Sequence, residues 1–171
     1  MGAGSSQRVP FHPQGGCGLH KLGTYRRVEP EGIHVARYWC PRAEASISLL
    51  PAFLASRMRG TLDAVEAAVH AVAQSGSITA AVELVHAAEA ARAIGPVCAR
   101  RSIRRRLRAL RAALLALVTL LPQRLAGIAP TITALRQALG VERVLVTVRG
   151  LLEQHLNALP APFGLRNRAR A

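Results

Sequence analysis

Hydrophobic residues recur at helical spacing through the second half of the chain. The clearest series advances in steps of four, three, four, three and four residues, and it consists of Ile103, Leu107, Leu110, Leu114, Leu117 and Leu121. This spacing keeps apolar side chains on one side of an α-helix. Because Gly95-Pro96 precedes the series and Pro122 follows it, the pattern predicts a helix over about 97–121.

Two further helices are predicted before this one. Thr61 can cap a helix over 62–74, whose hydrophobic stripe consists of Leu62, Val65, Val69 and Val72. Ser77 can cap a second helix over about 78–93, which has a small apolar inner face. The three helices follow one another in helix-turn-helix order, and the third stands where a recognition helix belongs.

Two shorter helices are predicted after Pro122. One covers 130–139 and ends at Gly140, and the other covers 141–159. The β-branched residues at 144–148 and the interruption at Gly150 make a strand the alternative for that stretch. The length of the segment and its flanking leucines favour a helix.

The N-terminal part of the chain has a different pattern, with strand-forming residues in place of helical spacing. These residues are Tyr25, Val28, Ile33, Val35, Tyr38 and Trp39. They lie on either side of Glu29-Pro30-Glu31-Gly32, which is a turn signal. The pattern predicts a β-hairpin with strands at about 23–28 and 33–39.

These elements divide the chain into four parts. Residues 1–16 are rich in glycine, serine and proline, which predicts a flexible entry. Residues 17–54 form the hairpin module, 61–159 the helical domain, and 160–171 a loop-like basic tail. The predicted fold class is mainly α, a helical bundle with a helix-turn-helix-like core and a small N-terminal β-hairpin module.

The helix predicted over about 97–121 is also strongly basic. The formal net charge is +14, and seven arginines fall within the twelve residues from 100 to 111, namely Arg100, Arg101, Arg104, Arg105, Arg106, Arg108 and Arg111. No Asp or Glu occurs from Ala90 to Gly140. Positive charge that no nearby carboxylate neutralises favours a polyanionic partner, and the predicted partner is duplex DNA. Almost no Asn or Gln accompanies the arginines, so contact with phosphates is favoured over base reading.

Other interpretations of this helix stay open. The arginines can form a solvated face whose stems cover apolar neighbours. The leucine stripe can pair with a partner helix or with a second copy of the chain, which would make the protein a helical interaction module. A position on an anionic membrane surface is less favoured, because the helix lacks the Trp and Phe typical of such helices.

The location is predicted to be cytoplasmic. The longest apolar run, 112–121, is ten residues long with Thr119 inside it, whereas a membrane span needs about 20. The N-terminus has no apolar run typical of a signal peptide. Three cysteines, Cys17, Cys40 and Cys98, do not make a disulfide framework.

Three motifs near the N-terminus are informative in combination. They are Gly23-Thr24-Tyr25-Arg26-Arg27, Arg37-Tyr38-Trp39-Cys40-Pro41 and Ser48-Leu49-Leu50-Pro51. Together they resemble the zinc-ribbon module of transposase-associated bacterial proteins encoded by mobile elements. The Leu-Leu-Pro at 120–122 and the Leu-Pro-Ala-Pro-Phe-Gly at 159–164 are similar to later parts of such proteins.

The resemblance implies a zinc site, but the ligand pattern departs from it. In the family pattern a second Cys pair, or a Cys plus a His, precedes the Leu-Leu-Pro turn, whereas Cys40 here is followed by Pro-Arg-Ala-Glu. A tetrahedral site needs about four N or S ligands, and the candidate set is His12, Cys17, His20 and Cys40, with His34 as a substitute. One alternative is a degenerate ribbon without zinc, in which Cys17 and Cys40 are ordinary thiols. A separate alternative for the function is that the chain is a decayed, non-functional relic.

Catalytic patterns are missing from the sequence. Transposase chemistry uses three carboxylates around two metal ions, but this chain has one aspartate, Asp63, and eight glutamates. Glu66 lies one turn from Asp63 and is expected to point outward. No phosphate-binding Gly-Lys-Ser/Thr loop is present. The sequence therefore predicts a non-catalytic DNA-binding accessory or regulatory protein related to a mobile element, without a cofactor unless zinc is bound.

Overall fold

The computed structural model describes residue 16 and residues 18–88, 96–156 and 158–164, without the side chains of 84–88 and 96–98. The chain divides into two compact units, Met1–Pro51 and Ala52–Ala171. The predicted flexible entry lies outside the described residues except for residue 16. The same holds for Arg166, Arg168 and Arg170 of the predicted basic tail.

The first unit contains an antiparallel sheet of three strands in the order β1-β2-β3. The strands are β1 (His20–Arg26), β2 (His34–Cys40) and β3 (Ala45–Leu49). The predicted hairpin of β1 and β2 is confirmed, although β1 begins and ends earlier than predicted. The third strand was not predicted, although its five residues alternate between apolar and polar, because its end falls in the 48–51 motif that the resemblance assigns to a turn.

The strand register places side chains on two faces of this sheet. Trp39 on β2 lies opposite His20 on β1 and opposite Ser46 on β3. An irregularity between Lys21 and Gly23 shifts the register of β1. Cys40 and Ile47 are buried together in a small hydrophobic cluster.

The second unit is helical. Its described helices are α1 (Leu62–Ser75), α2 (Ile78–Ala88), α3 (Pro96–Leu120), α4 (Pro122–Leu125), α5 (Ile132–Leu139) and α6 (Val144–Leu151), followed by a short 3-10 helix, Glu153–His155. The fold is thus a helix-dominant mixture of α and β structure with the sheet at the N-terminus. The predicted continuation of α2 to residue 93 lies outside the described residues.

Polar side chains begin the helices as the sequence predicts. The Thr61 hydroxyl accepts a hydrogen bond from the backbone N–H of Ala64 at 3.1 Å, and Ser77 does the same for Ala80 at 3.1 Å. Each such cap satisfies a backbone donor that would otherwise have no partner in the first helical turn. Gly140 ends α5 with a φ of 63°, the left-handed conformation that glycine adopts without strain.

The core of the second unit lies along α3. Leu110, Leu114 and Leu117 of the predicted stripe are buried in one cluster with residues of α1, α5 and α6. Ile103 is also buried, while Leu107 and Leu121 are half-buried. The stripe is therefore confirmed as the side of α3 that packs against the rest of its own unit.

The helix predicted over 141–159 is shorter than predicted, since it runs from Val144 to Leu151 and is followed by the 3-10 helix. The preference for a helix over a strand at 144–148 is confirmed, because Val144, Leu145 and Val148 all face the core at helical spacing. On α1, Ala68 and Glu66 are buried, whereas Val69 and Val72 are only half-buried.

Residues 160–164 belong to the core, although the sequence predicts a loop-like tail there. Leu159 and Phe163 are fully buried. The buried Ser56 donates from its backbone N–H to the carbonyl of Pro162 at 2.8 Å and from its hydroxyl to the carbonyl of Gly164 at 2.6 Å. A β-carbon on Gly164 would lie 1.6 Å from the Leu159 carbonyl oxygen, so only glycine fits at this position.

Among the described helices, none is long and apolar enough to cross a membrane.

Candidate nucleic-acid interface

The arginines of α3 lie mainly on the side of the helix that faces away from the core. An α-helix turns by about 100° per residue, so the five exposed arginines fall within an arc of about 120° opposite the leucine stripe. They are Arg101, Arg104, Arg105, Arg108 and Arg111. We call these five residues the arginine face.

The other two arginines of the predicted site lie outside this group. Arg100 and Arg106 are half-buried. One terminal nitrogen of Arg106 approaches Gly60, to 4.0 Å from the position that a β-carbon would take there. The structure thus brings five of the seven predicted residues onto one exposed surface and turns Arg106 towards the loop that precedes α1.

The loop before α1 extends the basic surface. The Nη2 group of Arg105 donates to the backbone carbonyl of Arg57 at 3.3 Å, and the side chains of Arg57 and Arg59 are exposed. Sequence reasoning missed these two arginines, because the contact joins residues 48 positions apart. The signal that could have found them is the local spacing of two arginines beside Gly60 in an otherwise apolar segment.

The carboxylates of α1 are engaged by Arg136 of α5 and by Arg143, the residue that precedes α6. Asp63 accepts two hydrogen bonds from Arg143, at 3.0 and 2.6 Å. This pairing and the charge of Asp63 raise the pKa of Arg143. Among the described residues, no carboxylate forms a salt bridge with an arginine of α3. The arginine face therefore keeps its positive charge uncompensated within the described part of the chain.

The prediction that Glu66 points outward is wrong, because Glu66 is buried. Its Oε1 accepts from Arg136 at 2.7 Å and its Oε2 accepts from the backbone N–H of Leu145 at 3.2 Å. Leu145 belongs to the first turn of α6, where backbone donors lack partners within the helix and a negative charge is favoured. Glu66 is thus a structural acid that joins α1 to α5 and α6.

One further arginine is buried in this unit. Arg149 of α6 is 5% exposed and donates from Nη1 to the carbonyl of Leu54. Burial lowers its pKa. Arg149 therefore contributes to the packing of α6 and not to the basic surface.

The candidate zinc ligands are not assembled by the described residues. His12 and Cys17 lie outside them. His20 is exposed and lies opposite Trp39, whereas Cys40, the next residue on β2, is fully buried. Adjacent strand residues point to opposite faces, so His20 and Cys40 lie on different sides of the sheet. Among the described residues there is no group of three side chains suited to hold a metal ion.

The substitute ligand His34 also lies far from Cys40. It is the first residue of β2, and Cys40 is the last. Six residues of a strand span roughly 20 Å. The described sheet therefore offers no pair from the proposed set at the spacing of a tetrahedral zinc site.

The leucine stripe that was predicted as a possible surface for self-association is not exposed on α3. The stripe proposed to pair with another helix is occupied by the core of its own unit. Among the side chains of α3 that the structure describes, Leu115 is the large hydrophobic one that stays exposed, at 58%. A helix-pairing seam needs apolar residues repeated over several turns, so Leu115 alone does not supply one.

The helix-turn-helix arrangement depends on a segment that the structure does not describe. Helices α1, α2 and α3 occur in the predicted order, and α2 contacts both of the others. Residues 89–95, which would form the turn between α2 and α3, lie outside the described residues.

No family model, no curated protein and no solved structure matches this chain.

Proposed function

We propose that this protein is a non-catalytic DNA-binding accessory or regulatory protein, and that the arginine face of α3 contacts the phosphates of duplex DNA. The observation that carries the proposal is the combination of five exposed arginines on one side of α3 with a buried leucine stripe on the other. Rigid anchoring of a basic helix reduces the entropy lost when its side chains meet a partner.

The charge distribution favours a polyanion over a solvated face. Asp63 and Glu66 are engaged by Arg143 and Arg136, and α3 itself contains no carboxylate. Like charges placed close together repel one another, and a phosphate backbone relieves that repulsion while releasing counterions. Arg57 and Arg59 on the adjoining loop extend the same field.

Phosphate contact is favoured over the reading of bases. On the exposed side of α3 the arginines are accompanied by Ser102, Ala112, Leu115 and Thr119, and no Asn or Gln occurs in the helix. Sequence reading in the major groove commonly combines Arg with Asn or Gln contacts to base edges. We therefore expect broad affinity for duplexes, with Ser102 available for one further hydrogen bond to a phosphate.

The resemblance of the N-terminal motifs to transposase-associated proteins supplies the biological setting of the proposal. A cytoplasmic protein linked to a mobile element would meet duplex DNA directly. The proposal does not need zinc, since the arginine face lies wholly in the second unit. The alternative of a helical interaction module is less favoured, because the leucine stripe that would pair with a partner helix packs in the core of its own unit.

Removal of two arginines from the arginine face tests the proposal. Arg104 and Arg108 suit this purpose, because both are exposed and one helical turn apart, and because Arg105 has a contact with the Arg57 loop. In fluorescence anisotropy with a labelled duplex of about 20 base pairs, the double variant Arg104→Ala plus Arg108→Ala should weaken binding by roughly 10- to 60-fold at about 100 mM salt.

The matched control removes the same charge elsewhere. Arg26 and Arg42 are exposed residues of the first unit, and the double variant Arg26→Ala plus Arg42→Ala should bind the duplex within about threefold of wild type, as expected for charges outside the site. Equal losses in both double variants would mean that total charge governs binding, which would contradict the proposal. Circular dichroism of both variants checks that the helices remain folded.

A further inference from the structure

The sheet of the first unit carries an exposed aromatic residue among basic and polar neighbours. Trp39 is 36% exposed and lies between His20 on β1 and Ser46 on β3. Arg37, two residues earlier on the same strand, shares this face. We call His20, Arg37, Trp39 and Ser46 the tryptophan face.

Arg37 is held in place beside the indole. Its Nη2 group donates to the Ser46 hydroxyl at 3.0 Å, and both residues are exposed. A guanidinium fixed across two strands retains further donors for a phosphate, since it carries five N–H groups in a planar fork. The hydrogen bond also restrains the side chain before any ligand arrives.

The charge of the sheet suits a nucleic-acid strand. By the strand register, His20 and Arg37 lie on the tryptophan face, whereas Lys21, Arg26 and His34 lie on the opposite face. The three strands contain no Asp or Glu. The carboxylates of the described part of this unit, Glu29, Glu31 and Glu44, occur in the segments between strands. The tryptophan face thus combines a stacking surface with positive charge and no acid on its own strands.

We propose that the tryptophan face binds single-stranded nucleic acid, with an unpaired base stacked on Trp39 and a neighbouring phosphate held by Arg37 and His20. Exposed aromatic rings on small sheets stack unpaired bases, because every base offers a flat π surface. In a duplex the bases are already stacked and paired, so the indole has no base surface to contact. This binding is separate from the duplex contact proposed for α3 and uses different residues.

The chain provides its own reporter for the test, because Trp39 is the one tryptophan in the sequence. A titration of the full chain with an oligothymidylate of about 12 nucleotides should quench the tryptophan fluorescence. The same titration followed by anisotropy of a labelled oligonucleotide should give the same midpoint. Binding to the arginine face alone would change the anisotropy and leave the tryptophan emission unaltered, which would overturn the proposal.

Substitutions on the two faces of the sheet sharpen the test. Trp39→Ala should weaken oligothymidylate binding by roughly 5- to 100-fold, and Arg37→Ala should weaken it less. Leu49 is 53% exposed and lies opposite Ala36, which places it on the other face. Leu49→Ala should therefore leave affinity within about twofold of wild type, as a surface change outside the contact.

Three results would overturn the proposal. They are an equal loss in the Leu49→Ala and Trp39→Ala variants, equal quenching by a duplex of the same sequence, and the absence of oligothymidylate binding. Because the wild-type quenching experiment needs no variant, the proposal stays testable even if Trp39→Ala fails to fold. Loss of duplex binding in the Arg104→Ala plus Arg108→Ala variant with retained tryptophan quenching would separate this site from the proposed function.

Discussion

Glu66 shows how much one side chain contributes to the second unit. It is 7% exposed and serves two partners, the guanidinium of Arg136 and the backbone N–H of Leu145. A buried carboxylate is stable only when charged and hydrogen-bonded partners replace the water that it has lost. Glu66 therefore orients α5 and α6 against α1, behind the helix that carries the arginine face.

Substitution of Glu66 is expected to destabilise the protein. Glu66→Ala removes a charge-assisted hydrogen bond and the acceptor of the Leu145 N–H, so the free energy of unfolding should fall by about 2 kcal/mol. Glu66→Gln keeps an acceptor for Leu145 and should lose less. Urea unfolding followed by circular dichroism measures both changes.

The neighbouring acid supplies the control. Asp63 forms its ion pair with Arg143 at the surface, where the two side chains are 44% and 60% exposed. Solvent and salt screen such a pair, so Asp63→Ala should cost less stability than Glu66→Ala. An equal or larger loss for Asp63→Ala would contradict the structural role assigned to Glu66.

At the scale of elements, one side of α3 packs against the core through the leucine stripe, and the other side exposes the arginine face. Leu117 on the anchored side is fully buried, and Leu115, two residues before it, is 58% exposed. Since the arginines follow the same helical repeat, their presentation depends on the packing of the leucine stripe. Loss of that packing would loosen the helix without any change in charge.

The two leucines give a matched pair of substitutions. Leu117→Ala should lower the free energy of unfolding by about 2–5 kcal/mol, because it leaves a cavity in the core. Leu115→Ala should change it by less than about 0.5 kcal/mol, as for most surface positions. Thermal or urea unfolding of both variants checks the assignment. Similar effects for the two variants would show that α3 is not anchored through this stripe.

Local patterns were sufficient to predict α1, the described part of α2, α3 and α5. Their caps at Thr61 and Ser77 and the end at Gly140 are short-range signals that the sequence displays directly. The four-residue helix α4 was missed, because a helical period needs more residues than it contains. The strand β3 was missed although its five residues alternate between apolar and polar, because its end falls in the 48–51 motif that the resemblance assigns to a turn.

Long-range contacts account for the parts of the site that the sequence did not predict. Arg105 of α3 donates to the backbone carbonyl of Arg57, and Glu66 accepts a hydrogen bond from the backbone N–H of Leu145, 79 positions away. Residues 160–164 were assigned to a tail, but Phe163 enters the core and Ser56 holds the segment. Partners so distant in the chain leave no signal in a single sequence.

At the scale of the whole molecule, the net charge of +14 is distributed unevenly. The acids of α1 are engaged by Arg136 and Arg143, while the described surroundings of α3 offer its arginines no salt bridge. An uneven field of this kind attracts a polyanion to one surface and leaves the remainder of the protein less attractive to it. The central claim is therefore that five exposed arginines act together on phosphates.

The salt dependence of duplex binding tests this claim most directly. Each phosphate contact contributes about −0.9 to the slope of log K against log salt. Five contacts predict a slope of about −4.5 for the wild type and a roughly 500-fold loss of affinity between about 50 and 200 mM salt. The Arg104→Ala plus Arg108→Ala variant should have a slope of about −2.7. A wild-type slope near zero, or the same slope in both proteins, would contradict the account.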